Sequence, residues 1–96
     1  MAGYLIFEIE VTDPDAYRRY REVAGPMMIA AGGKFLLSSE KIETLEGGWL
    51  PPSISVVAFP SFARAREFYY SPAYQAVLDL RFVASNGRGI LVESAP

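Results

Sequence analysis

The chain has 96 residues, with nine Lys and Arg against eleven Asp and Glu, a net charge of -2, and neither cysteine nor histidine. That composition excludes disulfides, thiolate metal sites, cysteine nucleophiles, Ser-His-Asp triads and histidine-held metals, and no metal or other cofactor is implied. The near-balance of charge argues against nucleic acid or an anionic membrane as a partner, and no apolar run approaches the ~18 residues of a membrane span.

The length holds one hydrophobic core, so residues 1–96 are read as one domain. Met1-Ala2-Gly3-Tyr4 enters a strand pattern without a basic leader, which predicts no signal peptide and a cytoplasmic protein. From Tyr4 to Val11 the residues alternate. Leu5, Phe7, Ile9 and Val11 form an apolar face; Tyr4, Ile6, Glu8 and Glu10 form a mixed one. Thr12-Asp13-Pro14-Asp15 opens a helix, with Thr12 or Asp13 as its cap. Tyr17, Tyr20, Ala24, Met27, Met28 and Ala31 share one side of it. Gly25-Pro26 is expected to kink or break it, and Gly32-Gly33 to end it.

Lys34 to Leu45 reads as a long second strand whose polar far end reaches a neighbouring subunit, followed by a turn over residues 47–52. Ile54 to Phe59 is a short apolar strand, expected to be buried on both faces. Pro60-Ser61 caps a helix over residues 62–70, and Ser71-Pro72 caps another over 73–84. Ser85-Asn86-Gly87 ends that helix, and Ile90-Leu91-Val92 is the last strand.

The order β-α-β-β-α-α-β, with right-handed crossovers, gives a ferredoxin-like split β-α-β fold of the α+β class: a four-stranded antiparallel sheet of order 4-1-3-2. Both helical blocks then cover one face. Hydrophobic residues make up 51% of the chain, with six Phe, six Tyr and one Trp. That share is high for so small a domain. A second copy stacked on the open sheet face accounts for it, as a homodimer and a dimeric α+β barrel.

A set of residues spread along the chain carries a resemblance. It comprises Tyr4, Val11-Thr12-Asp13-Pro14 with Tyr17 and Tyr20, Gly32-Gly33, Leu45-Glu46-Gly47 and Trp49. It continues with Phe59-Pro60-Ser61, Tyr69-Tyr70-Ser71-Pro72, Tyr74-Gln75 and Arg81. Together these resemble the small bacterial proteins of the domain of unknown function 1330 family, within the dimeric α+β barrel superfamily. The resemblance runs from Tyr4 to Val92 and implies the fold and the dimer; it supplies no function. Ser53 stands where the family often has Arg, Ala58 where it often has Glu, and Lys34 where Arg is usual.

Glu8 and Glu10, two apart on a strand, share a face. Inside a barrel they would raise each other's pKa and supply a general acid or base; at its rim they would be solvated or paired with arginine. Arg81, among apolar residues late in the last helix, needs a partner. That partner is either a carboxylate or phosphate ligand, or a protein group such as Glu8, Glu10 or a backbone carbonyl. Tyr20 and Tyr74, like Tyr17, Tyr69 and Tyr70, read as core packing or as pocket phenols; Trp49 reads as an interface anchor or a ligand platform. Ser71 is a helix cap that also marks a potential anion site. Gly87-Arg88-Gly89 has a helix before it and a strand after it, the reverse of a dinucleotide fingerprint. Arg18, Arg19 and Arg21 alternate with acids on a solvated helix face.

Two functions follow. One is a small-molecule binder or cofactor-independent enzyme with a pocket between sheet and helices for a small organic, anionic ligand. Glu8, Glu10 and Arg81 would supply its charge, and Tyr20, Tyr74 and Trp49 its shape. The other is a non-catalytic dimeric interaction module. The first requires an enclosed pocket of roughly 300 Å³ or more.

Overall fold

The computed structural model describes residues 1–95. The chain runs β1 (Gly3–Val11), α1 (Pro14–Ala30), β2 (Lys34–Ser39), β3 (Ile54–Phe59), α2 (Phe62–Tyr69), α3 (Pro72–Ala84) and β4 (Ser85–Glu93). Each helix starts where a side-chain oxygen takes a free backbone N–H. Asp13 accepts from Ala16 N–H at 3.1 Å, Ser61 from Arg64 N–H at 3.1 Å and Ser71 from Tyr74 N–H at 3.2 Å.

The strands form one antiparallel sheet of order β2-β3-β1-β4, so the two apolar strands β1 and β3 are central. Leu5, Phe7 and Ile9 point to the helices and are buried, together with Val57 and Phe59 of β3. Tyr20, Ala24 and Met28 of α1, Ala65 and Phe68 of α2, and Tyr74 and Leu78 of α3 complete the core. α1 leans on α3, while α2 lies over the central strands.

Four expectations change. The second strand stops at Ser39 rather than Leu45, because residues 40–53 run past the end of β3 and have no strand to pair with. Helix α1 passes through Gly25-Pro26 unbroken. Pro26 and Glu22, whose carbonyl loses its helical donor there, are both on the exposed side. Strand β3 is deeply buried only toward the helices; Ile54, Val56 and Ala58 on its other side are half-covered. Finally, α3 passes into β4 without a turn. The Ala84 carbonyl receives the N–H groups of Thr12 and Asp13, and Ser85 Oγ–H donates to the Arg81 carbonyl at 2.6 Å. No helix among the described residues is long and apolar enough to cross a membrane.

Candidate functional site

The strand register lays one row of residues across the helix-facing side of the sheet: Ser38 of β2, Ser55 of β3, Phe7 of β1 and Gly89 of β4. Above this row, between the sheet and α1, lies an open cleft of about 1120 Å³. Phe7, Ile9 and Val57 form its floor, Tyr17, Tyr20, Ala24 and Met28 line its α1 wall, and Arg81 enters from α3.

Arg81 is only 6% exposed. Its guanidinium lies 4.5 Å from the centre of the Phe7 ring, with Phe82 at 5.5 Å and Tyr20 at 6.0 Å. Among the described residues no carboxylate pairs with it; the ion pairs are Arg18 with Asp15 and Glu22, and Arg88 with Glu8. A charge so placed is costly unless something meets it. These rings hold the guanidinium by cation–π contact, and no hydrogen bond ties its N–H donors to the described residues, which leaves them available to a bidentate acceptor.

Gly89 makes the contact of Arg81 with Phe7 possible. A Cβ there would fall 2.5 Å from the Phe7 ring, so the ring that carries Arg81 lies directly on the glycine. Beside Arg81 the Tyr20 and Tyr74 hydroxyls share a hydrogen bond of 2.6 Å, with Tyr74 fully buried behind Tyr20. Burial pushes the phenols of Tyr20, Tyr74 and Tyr17 up from the ordinary value of 10.0. They therefore keep their protons at neutral pH and are unsuited to abstracting one; the Tyr20–Tyr74 bond uses one of that pair's two O–H donors and leaves the other for an oxyanion. The carboxylates along the cleft, Glu22 and Glu40, are exposed.

The model of the domain of unknown function 1330 family matches residues 2–95. The chain belongs to this family. No curated protein sequence matches it. Among solved structures, a protein of unknown function from Rhodopseudomonas palustris is 20% identical, with a TM-score of 0.74 over 99% of this chain and 83% of that one. SnoaB, a cofactor-independent oxygenase from Streptomyces nogalater, is 9% identical, with a TM-score of 0.70 over 99% and 94%. A dimeric ferredoxin-like protein of unknown function from Thermobifida fusca is 14% identical, with a TM-score of 0.64 over 98% and 92%. At these identities the likeness establishes the ferredoxin-like α+β fold.

In this family member the residues singled out from the sequence separate onto two faces. Arg81 and Tyr20 meet in the cleft, with Tyr74 behind them. Glu8, Glu10 and Trp49 lie on the outer side of the sheet. There the Trp49 indole N–H donates to Glu8 at 2.9 Å, Arg88 pairs with the same carboxylate, and Asn86 donates to Glu10 at 3.5 Å. Ser71 is occupied locally: it caps α3 and donates to the Phe68 carbonyl at 2.7 Å. Ser53, where the family pattern often has Arg, donates to the Ile9 carbonyl at 2.6 Å and borders the cleft. Ala58, where the pattern often has Glu, lies opposite Tyr4 on the outer face. The sequence marks Phe7 only as part of an apolar strand face and Gly89 only as part of a lone G-x-G, and gives Ser38 and Ser55 no part in a site. Only the register aligns them, and their residue types carry no chemical signal of their own.

Proposed function

We propose that the protein is a homodimeric binder of small organic anions, with the cleft under α1 as its site and Arg81 as the anchor for a carboxylate. The observation that carries this reading is a cation only 6% exposed that faces a cleft and has no carboxylate partner among the described residues. With Tyr74 as the donor in the bond they share, the Tyr20 hydroxyl adds a second, neutral donor beside it. Any chemistry in this cleft is of the kind that stabilises a developing oxyanion with fixed donors, which needs no cofactor. The Streptomyces oxygenase, described as cofactor-independent, is in keeping with such a use of the fold.

The homodimer is supported by the outer sheet face. Leu37 and Ile90 are 47% and 62% exposed there, next to half-covered Ile6, Ile54, Val56 and Val92. Exposed Trp49, bonded to Glu8 on the same face, extends the apolar surface. A second copy stacked on this face would cover it, and the structural neighbour from Thermobifida fusca is described as dimeric.

The variant Arg81→Met tests the anchor, with 2-naphthoate as the probe in calorimetric titration and native mass spectrometry for the dimer. The dimer should persist and the melting temperature should hold, because replacing an unpaired buried charge by an apolar side chain removes a desolvation cost. Affinity for the probe should fall about tenfold or more, the scale of a lost charge-assisted hydrogen bond. An unfolded variant, or unchanged affinity, would make Arg81 a structural residue and favour the interaction module.

A further inference from the structure

We propose that the natural ligand of this cleft is a flat aromatic carboxylate bearing a second oxygen function, a hydroxyl or carbonyl, on the edge away from its carboxylate. This rests on the reading of Arg81 as the carboxylate anchor and adds what the remainder of the cleft recognises.

The floor row is graded. At one end Phe7 carries the Arg81 guanidinium; beside it on β3 is Ser55, and beside that on β2 is Ser38. The two serine hydroxyls are 3.1 Å apart and hydrogen-bonded to each other. That bond uses one of their two O–H donors, and the described residues offer no partner for the other. Neighbouring strands lie about 4.8 Å apart, so the free donor sits one to two strand spacings, roughly 5–10 Å, along the floor from Phe7. A carboxylate held by Arg81 and an oxygen held by this pair therefore belong at opposite ends of one ligand.

Between the two ends the cleft is apolar and aromatic, with Val57 below and Tyr20, Ala24 and Met28 on the helix side. A planar ring system suits such a slot. The roof carries an independent mark. Gly25 sits in the interior of α1, where glycine weakens a helix, and its φ is not positive. A Cβ there would meet nothing within 4 Å, so no protein contact requires the glycine. It borders the cleft, and the room it leaves is room for a ligand.

The test is a titration of two matched probes, 2-naphthoate and 6-hydroxy-2-naphthoate. The proteins are the wild type, the double variant Ser38→Ala/Ser55→Ala, and Gly25→Leu, with circular dichroism and thermal melting as fold controls. The hydroxylated probe should bind the wild type roughly three- to tenfold tighter than its parent, the worth of one hydrogen bond. The double variant should lose that difference and keep the affinity for 2-naphthoate. Gly25→Leu should melt no lower than the wild type and bind neither probe. Equal affinities in the wild type, or a difference that survives the double variant, would overturn this inference and leave the Arg81 anchor standing. Undiminished binding to Gly25→Leu would overturn the placement under α1. If neither probe bound the wild type, the anchor reading would fall and this inference with it.

Discussion

On the outer face of the sheet an acid, Glu8, is shared between an indole N–H and an arginine; on the helix face a cation, Arg81, is buried against aromatic rings with no carboxylate to meet it. Burial alone would predict the reverse, since the Glu8 side chain keeps 18% of its surface open to water while Arg81 is the more deeply buried charge and the one in greater need of a partner. The outer cluster is complete within the chain and fixes the Trp49 segment to β1. The inner one is incomplete within the chain and faces a cleft. A charge already paired by its own protein argues for structure; one held at a cleft with no carboxylate among the described residues to meet it argues for a ligand.

The comparison can be broken most severely from the inner side. Tyr74 is wholly buried and packs on Phe68, with ring centres 4.8 Å apart. Tyr74→Ala should destabilise the fold by about 3–5 kcal/mol, the range for deleting a buried aromatic ring, read from denaturant unfolding. A loss under about 1 kcal/mol would mean that the α1–α3 contact is not the support of the cleft wall. A smaller and sharper perturbation uses two adjacent residues of β4 that face opposite ways. Gly89→Ala forces the Phe7 ring away from the sheet and should cost about 1–3 kcal/mol, the usual range for overpacking. It should also weaken 2-naphthoate binding, because the ring carries Arg81. Arg88→Ala, one residue away on the outer face, should leave that affinity unchanged. Equal effects of the two substitutions on binding would erase the distinction between the faces.

Much of the fold is legible in the residues themselves. Alternation from Leu5 to Ile9 marks a one-sided strand, and Asp13-Pro14, Ser61 and Ser71-Pro72 mark the helix starts at which their side chains are found. What escapes is whatever depends on a partner distant in sequence. The end of β2 is set by the length of β3, and Gly87 and Gly89 lie within a strand because Ile9 and Phe7 pack over them. The site divides the same way. Arg81 stands out as a charge on an apolar helix face. The sequence pattern puts Glu8 and Glu10 together on one side of β1, yet it does not say that this side is turned away from Arg81. Ser38 and Ser55 come together only through a register that contains a bulge between Phe35 and Leu37.

The smallest effect should be seen on the outer face, and it depends on pH. Hydrogen bonds from Trp49 and then Arg88 hold the Glu8 carboxyl below its ordinary value of 4.5. A group whose pKa is lower in the folded state stabilises that state above its unfolded pKa, and the contribution is lost as pH falls through the folded value. The tie between Trp49 and β1 should therefore be at full strength at neutral pH and weaken only below about pH 4.5, as Glu8 takes up a proton, its bond from the indole loses the help of the charge and Arg88 loses its counter-charge. Trp49 is the single tryptophan, so its indole N–H gives one assignable NMR signal. That signal should move with a midpoint below 4.5 in the wild type and stay flat in Glu8→Gln, whose amide oxygen still accepts from the indole at every pH. A midpoint at or above 4.5, or the same movement in Glu8→Gln, would mean that the outer cluster is no more complete than the inner one, and the contrast between the two faces would lose its physical basis.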